Sequence, residues 1–200
     1  MVRRPKERSE ASTELVPADL VDRCKAGDQG AWTELVEATH REVYSLCLRI
    51  LRDPDDAAEA TQDAYLKAWR GLRGFRGEAM FTTWLYRVAA NAAISKQRRR
   101  ARKWQFETGA TDDDERIAAS SDPEHEVEVR LELDQVEAAL ARLPEHYRSA
   151  VVLRDVYGFN IEEVAGQLGI SETAAKVRVH RGRKKLKAAI FPGSDEGEDV

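Results

Sequence analysis

The chain has 200 residues, 34% of them charged and 7% aromatic, and its 32 Lys and Arg against 36 Asp and Glu leave a net charge of −4. That length allows one or two domains with small cores. No apolar run exceeds four residues, which excludes a membrane span, and the two cysteines, Cys24 and Cys47, lack metal-site spacing and need no oxidising compartment.

Residues 1–16 are polar and mixed in charge and read as a disordered tail. Arg3-Arg4 is followed by no apolar segment, so no export signal is expected and the chain is placed in the cytoplasm. Pro17 precedes a first helix with Leu20, Val21 and Cys24 on one face, and a turn spans Gly27 to Gly30. A long second helix, about Ala31 to Leu51, repeats Trp32, Leu35, Val36, Val43, Leu46, Cys47 and Ile50 at the helical period. Asp53 caps a third helix, Pro54 suits its first position, and Asp55 and Asp56 complement its dipole. Its inward face is Ala57, Thr61, Tyr65, Ala68, Trp69 and Leu72. Asp55, Glu59, Gln62, Asp63 and Lys67 form the opposite, polar face.

Gly71-Leu-Arg-Gly-Phe-Arg-Gly77 breaks the helical pattern. Three glycines, two arginines and an aromatic make a loop able to come close to a ligand. A fourth helix starts near Thr82 or Thr83, with Leu85, Val88, Ala89 and Ala92 inward and Thr83, Trp84, Arg87 and Asn91 on another face. It ends in Lys96 to Lys103, which holds six basic residues and no acid. Residues 104–128 then carry nine acids and one arginine without any period, and read as a flexible acidic linker. Helical signals return with Val129, Leu133, Val136, Leu140 and Leu143. Pro144 opens the next helix, with Ala150, Val151 and Leu153 inside and a stop at Gly158. Residues 192–200 form an acidic tail.

Between them lies a helix-turn-helix. Asn160-Ile-Glu-Glu163 is a capping box that opens a short helix through Val164, Ala165 and Leu168. Gly169 ends it, and Ser171 caps a second helix that runs to Lys187 with one acid and seven Lys or Arg. At 1.5 Å per residue that helix is roughly 24 Å long, enough to lie in a major groove. Ala175 and Val179 face the first helix. Thr173, Lys176, Val177, His180, Arg181 and Lys184 share the opposite face. The fold class expected is all-α: two small helical domains, 17–103 and 126–191, joined by an acidic linker at 104–125, the second domain carrying the helix-turn-helix.

These motifs resemble the extracytoplasmic-function (group four) sigma factors of bacterial RNA polymerase, within the sigma-70 family. Asp63-Ala-Tyr-Leu-Lys-Ala-Trp69, Phe75-Arg-Gly-Glu and Phe81 to Asn91 are similar to the family's region 2. Leu143-Pro-Glu-His-Tyr-Arg148 and Asn160 to Leu186 are similar to its region 4, and nothing like region 3 lies between. The resemblance implies a subunit that joins the polymerase core, through its beta and beta-prime subunits, and directs it to promoter DNA, with an anti-sigma factor as a further partner. Region 2 would recognise and melt the minus-ten element, region 4 would read the minus-thirty-five duplex, and the linker would enter the polymerase channels.

By family position, Phe75, Arg76, Trp84, Arg87 and Asn91 would hold the melted minus-ten strand. The residue types fit, since basic groups hold a strand's backbone and aromatics stack on its bases at ~1–3 kcal/mol each. Trp84 and Phe75 also suit plain core packing. Lys96 to Lys103 would serve phosphates, or complement the helix dipole. For the minus-thirty-five element, Lys176, His180 and Arg181 occupy base-reading positions, with Ser171, Thr173, Arg178 and Lys184 around them. Arg178, Arg183, Lys184 and Lys185 suit phosphates, which set register but not sequence. Ala174, Ala175 and His180 depart from the common pattern, so the promoter sequence does not carry over. The core polymerase would meet Asp55, Glu59, Gln62, Asp63 and Lys67. Neutralising Asp112 to Glu115 in the linker would alter early transcript release.

Two other readings compete. One is a dimeric helix-turn-helix regulator that is not a polymerase subunit, although no heptads are evident. The other is a DNA-acting enzyme, although His40, His125, His146 and His180 are scattered and no nucleophile, metal cluster or phosphate loop is present. Accordingly no enzymatic activity, cofactor or metal is expected.

Overall fold

The computed structural model describes residues 16–108 and 128–191, and all its regular elements there are helical. The expectations for the N-terminal tail, for most of the linker including Asp112 to Glu115, and for residues 192–200 fall outside them.

Four helices form the first bundle: α1 (Ala18–Lys25), α2 (Gln29–Leu51), α3 (Pro54–Gly71) and α4 (Phe81–Thr108). Their starts follow the residue chemistry. Asp28 accepts from the Ala31 amide at 3.0 Å and caps α2, so Gly30 lies inside the helix rather than in a turn. Asp53 accepts from the Asp56 amide at 2.8 Å, with Pro54 in the first turn of α3. The core they enclose includes Leu35, Leu46, Ile50, Leu72 and Leu85, all essentially inaccessible, with alanines on α3 and α4 that let helices approach closely. Thr39 and Tyr65, both buried, share a hydrogen bond of 2.8 Å between hydroxyls, which satisfies two polar atoms inside the bundle.

The second bundle contains α5 (Glu128–Arg142), α6 (Glu145–Val151), α7 (Ile161–Leu168) and α8 (Glu172–Ile190), with a π-helical segment Val152–Val156 continuing α6. Gly158 takes φ +71° where that segment turns back. α8 crosses α6 at Gly182, which is buried. A Cβ there would meet Val151 Cγ2 at 2.5 Å and the Tyr147 carbonyl oxygen at 3.3 Å, so only glycine allows this approach.

Two further expectations need correction. The fourth helix does not stop at Lys103 but continues through Trp104 to Thr108, so the linker begins later than its composition indicates. Trp69 is not a core residue: it is 41% exposed and packs edge-on against Trp32, ring centres 4.9 Å apart.

The two bundles also touch, which the sequence does not announce. Arg148 on α6 is buried and donates to the Leu143 carbonyl at 3.0 Å and to the Ile50 carbonyl, at the end of α2, at 3.2 Å. It thereby caps an orphan carbonyl of another bundle's helix. Beside it Arg49 holds Glu137 at 2.6 Å and the Tyr157 hydroxyl at 3.0 Å. Tyr157 stacks edge-on with Tyr86 at 5.4 Å, and Gln97 bonds Ser149 at 3.2 Å.

Candidate nucleic-acid interfaces

The first surface surrounds the glycine loop. α3 ends at Gly71, a 3₁₀ turn (Leu72–Gly74) follows, and Leu72 plugs into the core while Arg73, Gly74, Arg76 and Gly77 stay exposed. Gly77 has φ +75°, a conformation that suits glycine. Phe75 meets Phe81 at 5.5 Å and Trp84 at 5.4 Å between ring centres, and Phe81 and Trp84 are 5.4 Å apart, so the three rings form a triangle. Gly71 lies under the indole, where a Cβ would come within 3.4 Å of Trp84 Cζ2. Lys25 Nζ is 5.3 Å from the Phe75 ring centre. Phe81 is the buried corner, whereas Phe75 and Trp84 are half-buried and present part of their faces outward. Phe75 and Trp84 thus pack against the bundle and still leave aromatic surface beside an exposed arginine.

Trp84, Arg87 and Asn91 follow one another on one face of α4. Asn91 is exposed, so its amide is not a buried group seeking partners. Arg87 is not open to solvent in the same way. Its guanidinium pairs with Glu163 of the second bundle, and its Nε is buried without a partner. Much of the basic end of α4 is likewise engaged. Lys96 pairs with Asp56 at 3.1 Å and with Glu59, Arg99 lies 3.9 Å from Asp63, and Arg100 bonds Asp56 at 3.3 Å. Arg98 donates to the Gln167 carbonyl at 3.2 Å. The segment read as a phosphate anchor thus also binds the two bundles together.

The second surface is α8. Asn160 Oδ1 accepts from the Glu163 amide at 2.9 Å, and Glu163 Oε2 accepts from the Asn160 amide at 2.8 Å, which completes the capping box of α7. Gly169 takes φ +59°, and the Ile170 amide returns to the Ala165 carbonyl at 3.1 Å, closing the helix end. Ser171 Oγ then accepts from the Ala174 amide at 3.2 Å and starts α8. Ala175, Val179 and Gly182 are buried toward α6 and α7. Thr173, Lys176, Val177, His180, Arg181 and Lys184 are all exposed, as their spacing requires, and Arg178 is half-buried at the edge. Among the described residues, no ion pair engages Lys176, Arg178, Arg181 or Lys184. Arg183 differs: its Nε bonds Asp155 at 2.9 Å, with a second contact from Nη2. Lys185 Nζ lies 6.0 Å from the Tyr147 ring centre. Arg183 and Lys185 therefore brace α8 against the bundle rather than belonging to its free face.

The third surface is the polar row on α3. Asp55, Glu59, Gln62 and Lys67 are exposed and Asp63 is half-buried. Beside it an open groove of about 690 Å³ runs between α2 and α3, walled by Trp32, Tyr44, Tyr65, Leu66 and Trp69. Leu66 is 49% exposed. The apolar half of this surface was missed because Trp69 fits the helical period of the core and Leu66 falls outside it; two large apolar residues on adjoining helix positions were the available signal.

Burial pushes the Cys47 thiol up to about 11 and raises that of Cys24, so both thiolates are disfavoured and the side chains behave as core. Among the described residues no cluster of His, Cys, Asp or Glu is placed to hold a metal, and no helix is long and apolar enough to cross a membrane.

Comparison with known proteins agrees with the two-bundle division. Sigma-70 region 2 matches residues 35–103, and Sigma-70, region 4 matches residues 133–186. The chain is 35% identical over 180 residues to the ECF RNA polymerase sigma factor SigM of Mycobacterium tuberculosis strain H37Rv, covering 90% of this chain and 84% of that protein.

The chain belongs to the extracytoplasmic-function sigma factors.

It is also 32% identical to the sigma-E factor of Escherichia coli K12 over 193 residues, covering 90% of this chain and 97% of the relative. The solved structure of CnrH in complex with the cytosolic domain of CnrY matches with a TM-score of 0.53 at 25% identity, covering 88% of this chain and 97% of that one. The fold is shared as well by the sigma factor RpoE of Bartonella quintana, solved with the anti-sigma factor NepR, at a TM-score of 0.56, 23% identity and coverage of 79% and 95%. The helix-turn-helix is therefore region 4 of an RNA polymerase sigma factor, and the dimeric regulator is not favoured.

Proposed function

We propose that this sigma factor joins core RNA polymerase through α3, opens the minus-ten element at the glycine loop and α4, and reads the minus-thirty-five element with α8. The observation that carries this division is that one chain bears two exposed surfaces of different chemistry. Around Gly71–Gly77 there are aromatic faces, an exposed Arg76 and an exposed amide at Asn91, a set suited to unpaired bases. Unstacking a base costs a few kcal/mol, which one or two such stacks offset. On α8 there is a capped helix whose exposed Lys176, Arg181 and Lys184 have no ion-pair partner among the described residues, suited to duplex phosphates and guanine edges.

The polar row Asp55, Glu59, Gln62, Asp63 and Lys67 meets the polymerase core, and the neighbouring groove with Leu66 and Trp69 supplies the apolar part of that contact. An interface built this way, apolar at its centre and polar at its rim, matches stable protein–protein contacts. The protein supplies binding and positioning and no chemistry of its own, works in the cytoplasm, and takes an anti-sigma factor as its inhibitor, as the two solved relatives were captured with such partners or with a cytosolic partner domain. A promoter phosphate replaces Glu163 at Arg87 when the minus-ten strand is engaged.

The test is in vitro transcription from a fragmented genomic template, with core polymerase in the presence and absence of the protein. New transcript starts preceded by two motifs at fixed spacing are expected. With core controls active, the absence of new starts refutes the proposal.

A further inference from the structure

The outer face of α8 sets a large apolar residue, Val177, among cationic side chains. Val177 is 42% exposed, whereas Ala175, Val179 and Gly182 form the buried face of the same helix. It sits four residues after Thr173 and three and four before His180 and Arg181, so it lies in the middle of the cationic surface. Local preference opposes it there. Valine is a weaker helix former than the Lys, Arg or Ala around it, and an exposed apolar side chain adds nothing to solubility. A residue that breaks local rules at the centre of a binding surface marks a contact made elsewhere.

We infer that Val177 sets a thymine preference in the minus-thirty-five element by packing against a thymine 5-methyl group in the major groove. This rests on the reading of α8 as the recognition helix. Of the four bases only thymine presents a methyl group in that groove; cytosine shows an amino donor and the purines show polar edges. The Val177 side chain has no donor or acceptor, so it favours the methyl and leaves the polar edges unsatisfied. In a helix its χ1 is held almost entirely in one rotamer, so the contact costs little side-chain entropy. Lys176 and Arg181 flank it with donors suited to guanine O6 and N7. The element read by this chain therefore combines guanine with an adjoining thymine.

The experiment uses holoenzyme assembled from core polymerase and the full chain, on a promoter mapped by its own transcript starts. Each thymine of the minus-thirty-five element is replaced in turn by deoxyuridine, which removes only the methyl. For the native chain, initiation falls about fourfold at one thymine, the effect of one buried methyl group. Val177→Ala starts lower on the native promoter and is indifferent to deoxyuridine at that position, while keeping its response elsewhere; the non-additivity assigns the contact to the pair. Circular dichroism and core binding of Val177→Ala remain native, because the side chain is exposed. Tolerance of deoxyuridine at every thymine, an element without thymine, or equal sensitivity in Val177→Ala overturns the assignment, the last pointing to Thr173 instead. Failure to initiate at any promoter is a separate result: it overturns the recognition-helix reading, and this inference with it.

Discussion

Single side chains carry distinct jobs on α8, and substitution separates them. Arg181 and Lys184 are both exposed and without an ion-pair partner among the described residues, yet they suit different contacts. Arg181→Ala is expected to cost about 1–3 kcal/mol and to relax the base preference at one promoter position. Lys184→Ala is expected to weaken binding evenly across sequences and to reduce the salt slope by about 1. Competition and salt titration of holoenzyme binding measure both. Inside the first bundle and at the seam, burial pushes the phenols of Tyr65 and Tyr157 respectively up to about 12, against an ordinary value near 10. A phenol with a raised pKa holds its proton more tightly in the fold than in the unfolded chain. Its stabilisation is therefore whole below about pH 10 and is lost as pH climbs toward 12. A spectrophotometric titration of the five tyrosines should show Tyr65 and Tyr157 ionising last, with the melting temperature falling over the same interval. Early ionisation of all five would contradict this.

At the level of helices, the helix-turn-helix was almost fully legible. Capping residues act on amides three positions away, so Asn160, Glu163, Gly169 and Ser171 reveal the turn from local chemistry alone. Gly182 was not legible in this way, since within a basic helix a glycine looks only like a weak point. Its role depends on α6, whose Val151 occupies the space a Cβ would take. Gly182→Ala gains up to about 1 kcal/mol of helix propensity but incurs about 1–3 kcal/mol of overpacking, so the second bundle should melt lower. Adding Val151→Ala to that variant removes the clashing methyl and should recover part of the loss. A Gly182→Ala protein as stable as the native one would mean that α8 shifts freely on α6. The α2–α3 groove illustrates the opposite error: periodicity assigned Trp69 to the core, because an aromatic at the edge of a helix's buried stripe keeps the same spacing as one inside it.

For the whole molecule, the decisive feature is the seam between the bundles. Arg148 is buried and bonded to carbonyls on both sides of it, and burial draws its pKa down to about 10, which leaves it charged at neutral pH. Arg148→Met keeps the packing volume but leaves the Ile50 and Leu143 carbonyls unpaired. The expected cost is about 1–3 kcal/mol for each buried group left unsatisfied. Denaturant unfolding should then resolve into two transitions where the native chain shows closer coupling. An unchanged single transition would show that the seam does not couple the bundles. The seam bears on function because Glu163 and Gln167 of region 4 hold Arg87 and Arg98 of region 2. Two of the chain's cationic groups on α4 are thus satisfied by its own second domain.

The sequence by itself determined the all-helical class, the division into two bundles, the helix-turn-helix and the family, because capping, periodicity and charge segregation are local and survive without knowledge of neighbours. Tertiary structure alone decided which cations are free. Arg183 and Lys184 are adjacent in the chain and equivalent in composition, but Asp155 lies against only the first. Likewise Arg76 and Arg87 read alike, whereas only Arg87 faces Glu163. An ion pair between residues 76 positions apart is set by how two bundles dock, and no local pattern encodes that distance.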